Sequence, residues 1–228
     1  MKVGIILTTD NRSKAYIQKL IKNNIILDDI ILMNSGNYGK KYSKEIIKKS
    51  VESGFDISIP VVKTLKKNNL DFHEFDFIDI NNSKLIEYVK NSKIKYYLFT
   101  GGGILKKDIL NAGPKFIHFH PGIVPNYRGS TCFYYSIINE NNCGVTSFVM
   151  DEKLDTGDII YQKKFLKPNH IYIDEIFDPF IRSETMIDVI QKNLINKSKF
   201  LKQNMIQGET YFIIHPVLKH ISIMNCVK

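Results

Sequence analysis

The amino-acid sequence predicts an α/β fold: a mainly parallel sheet with helices on both faces, followed by a small C-terminal appendage. Three observations carry this. Short apolar runs alternate with helix-period segments through the first two-thirds of the chain, the mark of strands joined by crossover helices. The 228 residues suit one large domain, or one domain plus a small addition. After Pro168 the alternation stops, which sets a boundary between residues 1–167 and an appendage over 168–228.

Taken in order, KVGIILTT (2–9) is a buried-strand run. SKAYIQKLIKNN (13–24) places Tyr16, Ile17, Leu20 and Ile21 on one helical face, with Ser13 where an N-cap belongs. DDIILMN is a second strand, and KYSKEIIKKSVESG a second helix ending at Gly54. LDFHEFDF alternates as a strand, SKLIEYVKNS is helical, and KYYLFT is a strand that runs into three glycines. KFIHFH is a strand, TCFYYSIINE a helix, and CGVTSFVM and DIIYQKKF two further strands. Beyond Pro168, DEIFDPFIRSETMIDVIQKNLI reads as one or two helices, with Pro179 at a start or a break. The tail GETYFIIHPVLKHISIM reads as a strand, a turn and an apolar end. There are no internal repeats and no long low-complexity linker.

Composition narrows the function classes. Hydrophobic residues make up 43% and charged residues 24%, ordinary for a globular protein with a real core. No apolar run nears the ~20 residues that span a bilayer, and the start MKVGIILTTD is too short for a signal peptide. A cytoplasmic location with no membrane association is therefore expected. Cys132, Cys143 and Cys226 are odd in number, widely spaced and free of CxxC, so neither a disulfide framework nor a zinc knuckle is expected. The net charge of +9 suits an anionic partner, or simply a lysine-rich solvated surface.

The chemistry concentrates in FIHFHPGIVPNYRG (116–129). His118 and His120 alternate along a strand, so both face one way at its C-terminal end, the edge where open α/β sheets bind ligands. Packing histidines, a zinc site lacking a third nearby ligand, and acid–base catalysis all fit that pair. Pro121 and Pro125 stiffen the following loop, while Gly122 and Gly129 permit close backbone approach. Arg128 fits either an anion clamp or a salt bridge within the loop. In MDEKLDTGDII, Asp155 sits in a turn of residues common in turns; an aspartate that reaches a histidine would fix its tautomer. DNRSK (10–14) opens the first helix, where Arg12, Ser13 and Lys14 suit a phosphate or an ordinary solvated cap. TGGGIL (100–105) is no dinucleotide fingerprint, and SGNYGK (35–40) lacks phosphate-loop spacing.

HxHPGxxPxYRG, followed by GVTSFVMDEKLDTGDII, resembles the folate-dependent formyltransferase superfamily over roughly residues 1 to 166. That family includes glycinamide ribonucleotide, methionyl-tRNA and sugar N-formyltransferases. The resemblance implies a Rossmann-like catalytic core and transfer of a formyl group from 10-formyltetrahydrofolate, as co-substrate, to an amine. It implies a catalytic set of His118, His120 and Asp155. His120 would handle protons, and Asp155 would hold it and raise its pKa. His118 stands where the family has an asparagine that hydrogen-bonds the oxyanion, so it is either a working substitute or the mark of a changed reaction. The folate would meet Gly101, Gly102, Gly103 and Ile104, and Glu152, Lys153 and Leu154. Arg12, Ser13, Lys14, Tyr127 and Arg128 would meet the acceptor. No metal is expected in that set. The short C-terminal addition is similar to that of the sugar enzymes. It implies a nucleotide-linked amino-deoxysugar as partner, a role in surface polysaccharide such as lipopolysaccharide, no nucleic acid, and a possible homodimer. The alternatives are another amine acceptor, a non-catalytic nucleotide-sugar-binding relative, and a metal-dependent hydrolase using His118, His120 and Asp155.

Overall fold

A computed structural model describes residues 2–34, 40–101, 103–196, 199–204 and 207–227. The SGNYGK loop, apart from Lys40, and Gly102 of the glycine run lie outside the described residues. The chain divides into two compact units, Met1–His118 and Phe119–Lys228. That division falls at a different point from the 167/168 boundary expected from the change of pattern.

The first unit is a parallel sheet. Its strands β1 (Val3–Leu7), β2 (Asp29–Met33), β3 (His73–Phe75) and β4 (Tyr96–Phe99), with the start of β5 (Lys115–His120), run in the order β3-β2-β1-β4-β5. Ile5, Ile6 and Leu7 are fully buried, as are Ile31, Leu32 and Met33. Strands covered on both faces have no polar side to present, so they read as continuous apolar runs. The helices are α1 (Asn11–Lys22), α2 (Lys44–Glu52), α3 (Val61–Lys67), α4 (Ser83–Asn91) and α5 (Lys107–Leu110). The fold class expected from the strand–helix alternation is the one found, a mainly parallel sheet flanked by helices.

Details differ from the sequence reading. The cap of α1 is Asp10, whose carboxylate accepts the Ser13 N–H at 2.8 Å. Ser13 lies inside the helix. The LDFHEFDF strand shrinks to three residues. Helices α3 and α5 were not foreseen, being short and without a side-chain cap.

The second unit begins with the last two residues of β5. It continues through β6 (Tyr127–Gly129), α6 (Cys132–Glu140), β7 (Asn142–Val149) and β8 (Ile159–Leu166). A π-helical turn, Ile173–Phe177, leads into α7 (Asp178–Gln191), with Pro179 in its first turn, where a missing N–H costs nothing. The chain then passes β9 (Glu209–Tyr211) and ends in α8 (Pro216–Cys226). Strands β7 and β8 form an antiparallel hairpin, and β6 pairs in parallel with β9. The apolar end of the tail is thus a helix. Among the described residues, no helix is long and apolar enough to cross a membrane.

Candidate active site

The site is clearest in the second unit, where β5 ends at His120. The imidazole is almost completely buried, at 2% exposure. Its Nε2 lies 2.9 Å from the Tyr127 carbonyl, and its Nδ1 lies 3.3 Å from Asp155 Oδ2. A carbonyl can only accept, so Nε2 carries a hydrogen and Nδ1 is the nitrogen that faces the carboxylate. The gap between Nδ1 and Oδ2 has room for one proton. Burial pushes the His120 pKa below the ordinary 6.5; Asp155 pulls it up and nearby Arg182 pulls it down. The expectation that Asp155 would raise the pKa is met in sign by that one interaction, but burial reverses the net direction. A neutral imidazole can meet only one of these two acceptors, the Tyr127 carbonyl and the Asp155 carboxylate, with a hydrogen, so uptake of a proton would complete the pair.

Each partner is fixed by local backbone. The loop after β5 folds back, with the Gly122 N–H donating to the His120 carbonyl at 2.9 Å and the Tyr127 N–H to the Ile123 carbonyl at 3.0 Å. Thr146 of β7 pins it twice. Its hydroxyl donates to the Gly122 carbonyl at 2.7 Å and accepts the Val124 N–H at 3.1 Å. Gln162 of β8 donates to the Val124 carbonyl at 2.6 Å. These bonds bring Tyr127 back to His120 across a loop that holds two prolines and one glycine.

Asp155 sits in the left-handed region, at φ 54°, and its Oδ2 accepts the Gly129 N–H at 2.7 Å. Two glycines make this approach possible. A Cβ on Gly157 would fall 1.7 Å from the Val149 carbonyl oxygen, and one on Gly129, at φ 100°, would fall 2.1 Å from that of Tyr211. Beside the pair, Arg182 Nε binds Asp178 Oδ1 at 2.6 Å, and another guanidinium nitrogen donates to the Phe119 carbonyl at 2.6 Å. This buried ion pair fixes the backbone one residue before His120. Thr146, Gln162, Asp178 and Arg182 escaped sequence reading because each is a lone polar residue in an otherwise ordinary element.

The other expected site residues divide into two groups. His118, in the first unit, lies on β5 with its ring 6.1 Å from that of Phe99. Tyr127 stacks on Tyr211 at 5.4 Å, and burial, with Glu140 beside it, pushes its hydroxyl up to about 12. Arg128 is buried, with a guanidinium nitrogen 3.4 Å from the Gly208 carbonyl. Glu152, Lys153 and Leu154 are exposed on the turn before Asp155. In the first unit, a Cβ on Gly101 would lie 3.2 Å from Asp10 Oδ2 and 3.6 Å from the Arg12 guanidinium, so Gly101 and Arg12 are neighbours. Gly103 takes φ 102°, and Asn81 holds the loop through the Ile104 carbonyl and the Lys106 N–H.

Ser13 and Lys14 are turned inward, contrary to an acceptor-binding role. The Ser13 hydroxyl lies 2.7 Å from that of Thr100 and accepts the Thr8 N–H at 2.9 Å. The Lys14 ammonium donates to the Ile57 carbonyl at 2.8 Å, and burial lowers its pKa. The helix N-terminus itself is capped by the Asp10 carboxylate, which accords with the ordinary cap of the two readings.

The fold and the His–Asp pair define a class: an α/β protein with a buried imidazole at the end of a strand, facing a carboxylate. A family model described as formyl transferase matches residues 56–170, half of the chain, and the chain belongs to that family. It is 29% identical over 172 residues to the methionyl-tRNA formyltransferase of Finegoldia magna, covering 74% of this chain and 50% of that one. It is 32% identical over 145 residues to that of Clostridium beijerinckii, covering 61% and 42%. The chain thus spans about half the length of these curated relatives. Among solved structures, an N-formyltransferase from Helicobacter canadensis in complex with folinic acid and dTDP-3-aminofucose aligns with a TM-score of 0.65. The identity is 17%, and the alignment covers 100% of this chain and 80% of that one. The methionyl-tRNA formyltransferase of Clostridium thermocellum aligns with a TM-score of 0.51 at 16% identity, over 99% and 82%. At these identities the structural likeness speaks for the fold alone.

Proposed function

We propose that the protein is a folate-dependent N-formyltransferase. It would transfer the formyl group of 10-formyltetrahydrofolate to the amine of a nucleotide-linked amino-deoxysugar, a step toward surface polysaccharide. The observation that carries the reading is the His120–Asp155 pair, 3.3 Å apart with the imidazole buried. An amine that attacks a formyl carbon gains a bond and must lose a proton. The space between Nδ1 and Oδ2 is suited to receive it, and general-base help of this kind is worth about 100- to 10,000-fold. His118 is assigned to the developing oxyanion, as a ring N–H donor in place of the family asparagine.

The bound folate supplies the formyl group. Gly101, Gly102, Gly103 and Ile104 in the first unit, and Glu152, Lys153 and Leu154 in the second, are assigned to it. The open approach at Gly103, where a Cβ would meet nothing within 4 Å, suits a backbone-lined contact. Arg12, Tyr127 and Arg128 are assigned to the acceptor. The sugar acceptor draws on the Helicobacter canadensis N-formyltransferase, a fold neighbour whose complex holds dTDP-3-aminofucose. A second reading, methionyl-tRNA as acceptor, draws on the sequence relatives.

The test is a mass-spectrometric transfer assay. Protein and 10-formyltetrahydrofolate would meet dTDP- and UDP-linked amino sugars, methionyl-tRNA and glycinamide ribonucleotide. The expected result is one added formyl group on one nucleotide sugar. Transfer to methionyl-tRNA alone would establish the second reading.

A further inference from the structure

We infer that Gln203, beyond the part of the chain that matches the family, is a positioning residue for Asp155 and through it for His120. The inference rests on reading those two residues as the proton-handling pair. Gln203 lies between β8 and β9, in a segment that no motif of the sequence singles out. Its side-chain Nε2 donates to the Asp155 carbonyl at 2.9 Å and to the Gly157 carbonyl at 2.8 Å. One amide nitrogen thus holds both sides of the Asp-Thr-Gly turn. Its Oε1 is buried without a hydrogen-bond partner among the described residues, so the amide is held there by its two N–H bonds. A buried acceptor left unmet is unfavourable, and a residue kept only for packing would not need one.

The turn needs such a hold. Asp155 takes a left-handed backbone conformation that a non-glycine residue adopts at a cost, so the surroundings must fix it. The flanking backbone adds two more attachments from the same segment. Leu201 and Ile159 form an antiparallel bridge, with N–H to carbonyl distances of 2.8 and 3.0 Å. Strand β9 then pairs with β6, placing Gly129, whose N–H meets the Asp155 carboxylate. Leu201 and Gln203 therefore hold the turn through its backbone, and Tyr211 holds it through Gly129. Deleting the Gln203 donors would let the turn relax and swing the carboxylate away from His120.

The test reads the geometry before the activity. The Gly129 amide proton reports the Asp155 carboxylate directly, so its NMR resonance would be recorded in the whole chain, in Gln203→Met and in Asp155→Ala. The expected result is a Gly129 resonance in Gln203→Met displaced toward its position in Asp155→Ala. With the acceptor that supports transfer, kcat should fall on the order of tenfold, with KM for 10-formyltetrahydrofolate within twofold. A change that only weakened the fold would lower the melting temperature and leave the native Gly129 resonance in place; that outcome would overturn the inference, as would a displaced resonance with unchanged kcat. Should Gln203→Met not fold, Gln203→Glu takes its place. Its protonated carboxyl can donate one of the two bonds, so the displacement should shrink at low pH. If the wild-type chain transfers no formyl group, the functional reading fails, while the Gly129 resonance still decides the role of Gln203.

Discussion

Two strand ends in this molecule carry buried polar clusters, and they are built for opposite ends. At the close of β1 and β4, Ser13, Thr8 and Thr100 form a closed set. The Ser13 hydroxyl bonds Thr100, accepts the Thr8 N–H, and Thr100 in turn donates to the Ile6 carbonyl at 2.9 Å. Hydroxyls both donate and accept, so the set is satisfied without any ionisable group. At the close of β5, His120 is buried as tightly and Asp155 is half-buried, and this pair contains a group that can take up a proton. A closed neutral network stabilises a junction, while a buried titratable pair stores a capacity for chemistry.

The largest effect should separate the two clusters by activity. His120→Gln keeps the size and a donor toward Tyr127 but cannot take up the proton, so kcat should drop about 100- to 10,000-fold with the circular dichroism spectrum unchanged. Ser13→Ala should show the reverse. It leaves the Thr8 N–H without its partner, at a cost of about 1–3 kcal/mol in a denaturant melt, while kcat of the folded protein stays near wild type. Thr146→Val should fall between them. Losing both loop bonds should lower stability by about 1–3 kcal/mol and also slow turnover, because that loop carries Tyr127 back to His120.

Acid should expose the pair as well. The folded pKa of His120 lies below 6.5, its value when unfolded, so the unfolded chain binds the extra proton first. The stability this histidine contributes is complete above pH 6.5 and is lost as pH falls toward the folded pKa. Urea midpoints measured between pH 7 and 5 should fall more steeply for wild type than for His120→Gln; equal slopes would remove the depressed pKa. The smallest effect is expected from chelation. Exhaustive EDTA treatment should leave transfer within twofold, and a loss restored by zinc would favour a metal role for His118, His120 and Asp155.

The contrast also shows what a sequence can carry. Strands β1, β2 and β4 were legible because burial on both faces leaves uninterrupted apolar runs. His120 and Asp155 were legible because their close approach demands glycines and prolines at fixed places, which leaves a motif. The Ser13 cluster misled, since Arg12, Ser13 and Lys14 at a helix start look alike whether they face a phosphate or the interior. Only the capping by Asp10 and the burial of Lys14 distinguish the two cases. Strands β6 and β9 are three residues each and pair across 82 positions, from Tyr127 to Glu209, so no local period announces them. Gln203 was hidden for the same reason, a lone amide whose partners lie 46 and 48 positions away.

In the proposed reaction His120, held by Asp155, takes the proton lost by the attacking amine. A single-turnover formyl transfer, with 10-formyltetrahydrofolate and the identified acceptor both saturating, tests it most directly when wild type and His120→Gln are run side by side across pH. The wild-type rate should rise with pH through the titration of His120, and the His120→Gln rate should be at least a hundredfold lower, on the order expected for a lost general base, with that titration gone. A His120→Gln chain that binds both substrates and transfers at the wild-type rate with the same pH dependence would contradict it.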